Sequence, residues 1–272
     1  MKRTRKFLTS VTAATLFLIL FCVQAYAGFV IERVYSTGTV PGKSNAKKIV
    51  TYFQGNKVKT IEENGNYSII DLATGTMTMV NPKKKEYSVT SLDSMVKQMQ
   101  MGMDKLKAHL KGLSPEQRAM MEKMMGISQA PSSKLVLKKL GDRKRIAGYE
   151  ATHYVITQNG KKVGEYWVSK ALREKMLKEM DREKIEKFEK AMNNISSQLN
   201  VFGNSSLTQL MEMEQKLQKE GEIVKQIHYP NNISMNKQGS TQEVVSVKEE
   251  RIPAAAFEVP KGYKKTRLDS EG

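Results

Sequence analysis

One cysteine in 272 residues, Cys22, is too few for an intramolecular disulfide or a cysteine-held metal knot. Seven prolines and 18 glycines exclude collagen-like and low-complexity chains. After residue 27 no run approaches the ~18 consecutive apolar residues of a membrane-spanning helix. The three histidines, His109, His153 and His228, fall in no HExxH or similar ligand spacing. There is no G-x-S-x-G elbow and no phosphate-cradling glycine loop. Acids are scarce too: 28 against 45 Lys+Arg, a formal net charge of +17. Hydrophobic residues make up 39%, which is enough for a core and too much for wholesale disorder. A non-enzymatic chain without a cofactor is the expectation.

The chain begins with Lys2, Arg3, Arg5 and Lys6, followed by an apolar stretch from Val11 to Val23. Ala25-Tyr26-Ala27 then presents small residues at the two positions a signal peptidase reads. Residues 1–27 are therefore expected to be a cleaved secretory signal, and 28–272 a single mature domain. Phe21, directly before Cys22, is not the small residue that lipidation at that cysteine requires. Cleavage removes Cys22 and four basic residues, reducing +17 only to +13. That balance favours anionic partners such as phospholipid headgroups, lipopolysaccharide or acidic envelope polymers over nucleic acid, which an exported chain rarely meets. A basic surface that aids solubility is the plainer explanation.

Strand signals run from Phe29 to Thr90: Phe29–Tyr35, Ile49–Phe53, Val58–Ile61, Tyr67–Leu72, Thr76–Val80 and Tyr87–Val89. Asn64-Gly65 between two of them predicts a type I′ turn. Leu92, Met95, Val96, Met99, Met103, Leu106 and Leu110 then form one apolar face at the helical period. Ser114-Pro115-Glu116-Gln117 predicts a capping box opening a second helix that carries Met120, Met121, Met124 and Met125. Strands return at Leu135–Leu140, Tyr149–Ile156 and Val163–Val168. Ser169 is placed to cap a third helix with apolar positions Leu172, Met176, Met180, Ile185, Phe188 and Met192. A polar connection at 193–206, a short helix ended by Gly221, and strands at Ile223–Tyr229, Glu243–Lys248 and Phe257–Val259 complete the reading. The whole is an α+β domain with helical insertions at about 91–126 and 169–220 on one antiparallel sheet.

Several short motifs recur in a recognisable order. They are Tyr52 to Val58 (Tyr-Phe-Gln-Gly-Asn-Lys-Val), Ile69-Ile70-Asp71, Met79 to Pro82, Lys85-Glu86-Tyr87, Gly148 to Tyr154, Glu165 to Ser169, and Phe257 to Tyr263. Together they resemble the exported domains of unknown function related to the periplasmic lipoprotein carrier LolA and its outer-membrane acceptor LolB. The resemblance spans most of residues 29–265. It implies a half-open, strongly curved antiparallel β-barrel with helices packed across the concave face, a periplasmic location, and an apolar cavity of the kind that holds acyl chains in the carriers. The long Met-rich helices and the higher basic charge depart from that pattern.

Under such a lid, Met95, Met99, Met103, Leu106, Met121 and Met125, with Trp167 on a strand, are the expected lining of a site for a lipid, a lipoprotein acyl chain or another amphiphile. Methionine is flexible and polarisable, and eight of the 17 lie between Met95 and Met125. Ordinary helix packing explains the same spacing, and an exposed apolar helix face that docks a partner protein is a further alternative. The i, i+4 thioethers also suit Cu(I), with His109 nearby, although Leu92, Val96, Leu106 and Leu110 share the face. No metal site is assigned. Lys138, Lys139, Arg143 and Arg145, in a basic run from Lys134 to Arg145, are the expected contacts for an anionic headgroup. A charged edge strand that resists pairing gives the same run.

Overall fold

The computed structural model describes residues 28–38, 46–124, 134–199, 206–230 and 238–266. The expected signal at 1–27 and Met125 lie outside the described residues.

The first half is a six-stranded antiparallel meander: β1 (Gly28–Thr37), β2 (Lys47–Gln54), β3 (Lys57–Ile61), β4 (Tyr67–Asp71), β5 (Thr76–Asn81) and β6 (Glu86–Ser91). Local polar chemistry shapes its turns. Asp71 Oδ1 accepts from the backbone N–H of Ala73 (2.9 Å), and Asn81 Oδ1 accepts from that of Lys84 (3.1 Å). The expected type I′ turn at Asn64-Gly65 is instead a longer loop. Of the pair only Gly65 takes a positive φ (84°), and Asn64 Oδ1 accepts from the Asn66 N–H. The two-residue geometry appears at Asn159-Gly160, where both φ values are positive (50° and 78°).

A second meander comprises β7 (Leu135–Ile146), β8 (Tyr149–Gln158), β9 (Lys161–Ser169), β10 (Glu222–His228) and β11 (Ser240–Glu250). Strand β11 returns to pair antiparallel with β1, joining the two meanders into one sheet. A two-residue β12 (Lys264–Lys265) adds to β6 in parallel, so the sheet is mixed. The order β12-β6-β5-β4-β3-β2-β1-β11-β10-β9-β8-β7 leaves it open, with β7 at one edge and β12 at the other. Lys138, Lys139, Arg143 and Arg145 stand exposed along the edge strand β7, where like charges discourage pairing with another chain.

Among the described residues five helices accompany the sheet: α1 (Leu92–Gly112), α2 (Pro115–Met124), α3 (Lys170–Lys178), α4 (Arg182–Leu199) and α5 (Ser206–Glu220). The capping box is formed in both directions. Ser114 Oγ accepts from the Gln117 N–H (3.3 Å), while Gln117 Oε1 accepts from the Ser114 N–H (3.1 Å). Ser169 Oγ caps α3 through the Leu172 N–H. The single helix expected from 169 onward is broken at Glu179–Asp181, because Asp181 Oδ1 accepts from the N–H groups of Glu183 and Lys184 and starts α4 there. Helix α4 then runs through much of the expected polar connection, to Leu199.

Register decides which face each strand residue shares. Phe53, Val58 and Ile70 lie directly opposite one another in turn, on the face toward α3 and α4. Val30, Tyr52, Lys59 and Ile69 occupy the reverse face. There the C-terminal segment covers the sheet: Ile252 and Phe257 pack with Val30, Tyr67, Ile69 and Val80. Phe257 sits in a 3₁₀ turn (Ala254–Phe257), not in the strand expected at Phe257–Val259. The turn inserts its ring into the core and lets Lys59 Nζ donate to the Ala256 carbonyl (2.8 Å). Two further clusters fix the helices. Leu172 and Met176 of α3 pack with Phe29, Ile31, Val224 and Val244, and Leu210 and Leu217 of α5 pack with Tyr154, Ile156, Tyr166 and Val168.

Candidate functional site

Between the β2–β4 face and the α3–α4 corner lies a cavity of about 260 Å³ with an almost wholly apolar wall. Phe53, Val58 and Ile70 form its floor, and Met176, Leu177, Met180, Ile185 and Phe188 its roof. Helix α3 is aimed there by its serine cap and by Gly221, whose lack of a side chain lets the α5–β10 junction sit against the Ser169 backbone. The corner is pinned from below, because Asn56 Oδ1 in the β2–β3 turn accepts from the Asp181 N–H (3.2 Å).

One end of this cavity is polar. Arg173, Gln218 and Glu222 border it and also border a second cavity of about 270 Å³, completed by Arg33, Gln226, Gln242 and three aliphatic residues of β10 and β11. Arg33 is ion-paired with Glu222, and Arg173 with Glu189 at 2.8 Å. Gln226 Nε2 donates to Gln242 Oε1 (2.9 Å). The two cavities share a wall, giving an apolar compartment next to a guanidinium- and amide-lined one.

Two other polar clusters flank β9. Tyr166, fully buried, donates to Glu214 Oε1 (2.7 Å), with His228 Nε2 3.1 Å from the phenol and 2.9 Å from the same carboxylate. Burial and the Glu214 charge push the phenol well above its ordinary pKa. Elsewhere, the His153 ring stacks flat on Trp167 with centroids 4.2 Å apart. Asp142 lies 2.8 Å from Nδ1 of His153, and Glu165 lies 3.3 Å from Nε2 without hydrogen-bond alignment. Burial alone would raise the Glu165 pKa, but hydrogen bonds from Lys162 and Tyr229, with the charges of Lys162 and His153, hold it below the usual carboxylate value. Tyr229 is pushed up to about 12 by burial and its bond to Glu165.

The residues singled out from the sequence fall in three places. Met95, Met99, Met103 and Leu106 lie on the half-buried to buried side of α1, which packs on α4; Met103 is 8% exposed. Met121 is half-buried in α2, and Trp167 is stacked on His153 beside the α3 core cluster. Lys139 and Arg143 border a polar cavity of about 410 Å³ at the β7–β8 edge, with Tyr154, Glu150 and Glu174, while Lys138 and Arg145 stand on the same strand. The apolar cavity draws its described lining from β2–β4, α3 and α4, with Gln218 of α5 and Glu222 of β10 at its polar end. Arg33 and Arg173 carry the most informative signal that the sequence reading passed over. Arg33 stands in the Phe29–Ile31–Arg33 alternation, and Arg173 sits between Leu172 and Met176 in an apolar stripe. A charge at a core-facing position marks a paired or ligand-facing group.

Among the described residues no His/Cys/Asp/Glu cluster is placed to hold a metal ion, and no helix is long and apolar enough to cross a membrane. The family described as "Domain of unknown function (DUF4412)" matches residues 116–263, more than half of the chain. The chain belongs to the DUF4412 family. In this DUF4412 chain the match takes in α3, α4, α5 and β10, hence Arg173, Gln218 and Glu222. The floor of the apolar cavity and Arg33 precede it. No curated protein matches the sequence. Among solved structures, PNGF-II is similar at 14% identity and a TM-score of 0.37, over 90% of this chain and 31% of that one. The MucA/MucB complex of Pseudomonas aeruginosa is similar at 8% identity and 0.35, over 87% and 56%. A DUF1329 family protein from Desulfovibrio piger is similar at 10% and 0.27, over 90% and 94%. The chain thus spans under a third of the PNGF-II chain and a little over half of the MucA/MucB one.

Proposed function

We propose that this protein is a non-enzymatic binding protein for an amphiphile, exported by its N-terminal signal to the periplasm. In this reading the curved sheet and the helices over it act as a half-barrel and lid of the lipoprotein-carrier type. The observation that carries the proposal is the pairing of an apolar cavity with a polar one through the shared wall of Arg173, Gln218 and Glu222. An apolar wall with few polar atoms suits an alkyl chain, which gains about 0.8 kcal/mol per buried CH₂ without directional chemistry. Tyr166, Glu214 and His228 are hydrogen-bonded to one another, and His153 Nδ1 to Asp142, as in stabilising networks. The experiment is native mass spectrometry of the mature protein purified from periplasm without detergent. An added mass matching an acylated or lipid species is the expected result. A bare protein mass, together with no uptake of a naphthylamine fluorophore into the apolar cavity, would refute the proposal.

A further inference from the structure

We infer that the polar cavity is the headgroup site of the same ligand, and that it selects a single-chain amphiphile ending in a carboxylate- or phosphate-type anion. The inference rests on the apolar cavity being the tail site. The shared wall permits it, since a chain lying in the apolar compartment can place its end at Arg173 and Gln218. Size limits the tail. At about 260 Å³ the apolar compartment lies just below the ~300–1,000 Å³ of pockets that enclose drug-sized ligands, a size that suits one alkyl chain better than the two or three of a membrane lipid or lipoprotein.

Free donors set the head. The polar wall holds two guanidinium groups, Arg33 and Arg173, each matched by one carboxylate, Glu222 on the same wall and Glu189 on the apolar side, so the anion is drawn by unused N–H donors and not by an excess of charge. Both arginines are withdrawn from solvent, with side chains 13% and 22% exposed, so salt screens them less than the open lysines of β7. Among the described residues each guanidinium meets one carboxylate through one terminal nitrogen, Arg33 to Glu222 and Arg173 to Glu189. A planar group with five N–H donors can fork onto a second carboxylate or phosphate while keeping the first. Glu222 therefore acts as an internal counter-ion that the ligand's own anion competes with. Gln218, Gln226 and Gln242 supply neutral amides around it.

The test is calorimetric titration of the mature protein with four probes that share a twelve-carbon chain, each below its micelle concentration or solubility limit: dodecanoate, dodecyl phosphate, dodecanol and dodecyltrimethylammonium. The two anions should bind about tenfold tighter than dodecanol, the increment expected of one charge-assisted contact. The ammonium probe should bind weakest. Arg33→Gln should lower the ratio of dodecanoate to dodecanol affinity. Glu222→Gln should raise it, a gain that loss of a merely structural ion pair does not give and that unfolding cannot mimic. Equal affinity for all four heads would overturn the headgroup site and leave the tail site standing. No binding of any probe would instead sink the amphiphile reading itself. Inorganic phosphate alone should bind no more than weakly, and affinity matching dodecyl phosphate would make the cavity a free-anion site and overturn the inference. Tighter binding of a two-chain phosphatidate than of dodecyl phosphate would overturn the single-chain limit.

Discussion

Replacing Gly221 by alanine tests whether the α5–β10 junction positions the roof of the cavity. A methyl group at Gly221 would stand 2.7 Å from the Ser169 carbonyl carbon and oxygen and 2.8 Å from the Lys170 nitrogen. All three are backbone atoms at the cap of α3, so no side chain can swing aside. Either the junction or the start of α3 must move by several tenths of an ångström. Overpacking of this kind costs about 1–3 kcal/mol. For a chain of this size each kcal/mol corresponds to about 2–4 °C in Tm. Gly102→Ala is the matched control. It lies inside α1 with open space around its missing side chain, so alanine should stabilise by up to about 1 kcal/mol. Urea unfolding followed by circular dichroism reads both. Because α3 carries Arg173, Met176 and Leu177, Gly221→Ala should also weaken uptake of the alkyl probes. A Gly221→Ala protein as stable as the parent, or stabilised like Gly102→Ala, would refute the reasoning.

Leu177→Trp should fill the apolar cavity and cut dodecanoate affinity at least tenfold while the fold, read by circular dichroism, persists; unchanged affinity would put the tail elsewhere. Tyr166→Phe removes the donor to Glu214 inside the buried triangle and should cost about 1–3 kcal/mol in urea unfolding. Glu165 has a folded pKa below its ordinary value, so the folded protein binds fewer protons there than the unfolded chain. Its contribution is complete above the ordinary carboxylate pKa and is lost as pH falls through the depressed one. Glu165→Gln should thus lower stability at pH 7 and flatten the acid limb of the Tm–pH curve; an unchanged slope below pH 4.5 would contradict this.

Much of the architecture was legible because it is written in local signals. The six strands from Gly28 to Ser91 follow alternation and turn residues, and the reciprocal Ser114–Gln117 cap was readable four residues at a time. The break between α3 and α4 was also present, though easily missed. The apolar spacing slips to five residues between Met180 and Ile185, and an aspartate stands at the slip. Phe257 misled because an aromatic and a valine two residues apart read as a strand, whereas Pro253 and three alanines permit a tight turn that tertiary packing then selects. The site was less legible for a physical reason. Arg33 and its partner Glu222 are 189 residues apart, and pairing over that distance leaves no periodicity in the chain. The methionine faces of α1 and α2 were visible as faces, but periodicity does not say what covers them.

Strand β1 lies between β2 and β11, so the second residue range to be made pairs with the first strand at once, while the other flank of β1 waits for residues 240–250. In a chain synthesised from its N-terminus, the leading strand keeps one raw edge through almost the whole of elongation. Beside that edge lie Phe29 and Ile31, whose core cluster is completed only when Val244 arrives. The seam is thus the last stitch as well as the middle of the sheet, and its long sequence separation makes it slow to close. Holding that edge unpaired without aggregation is a folding hazard of this topology, and a chaperone that occupies extended apolar segments would relieve it.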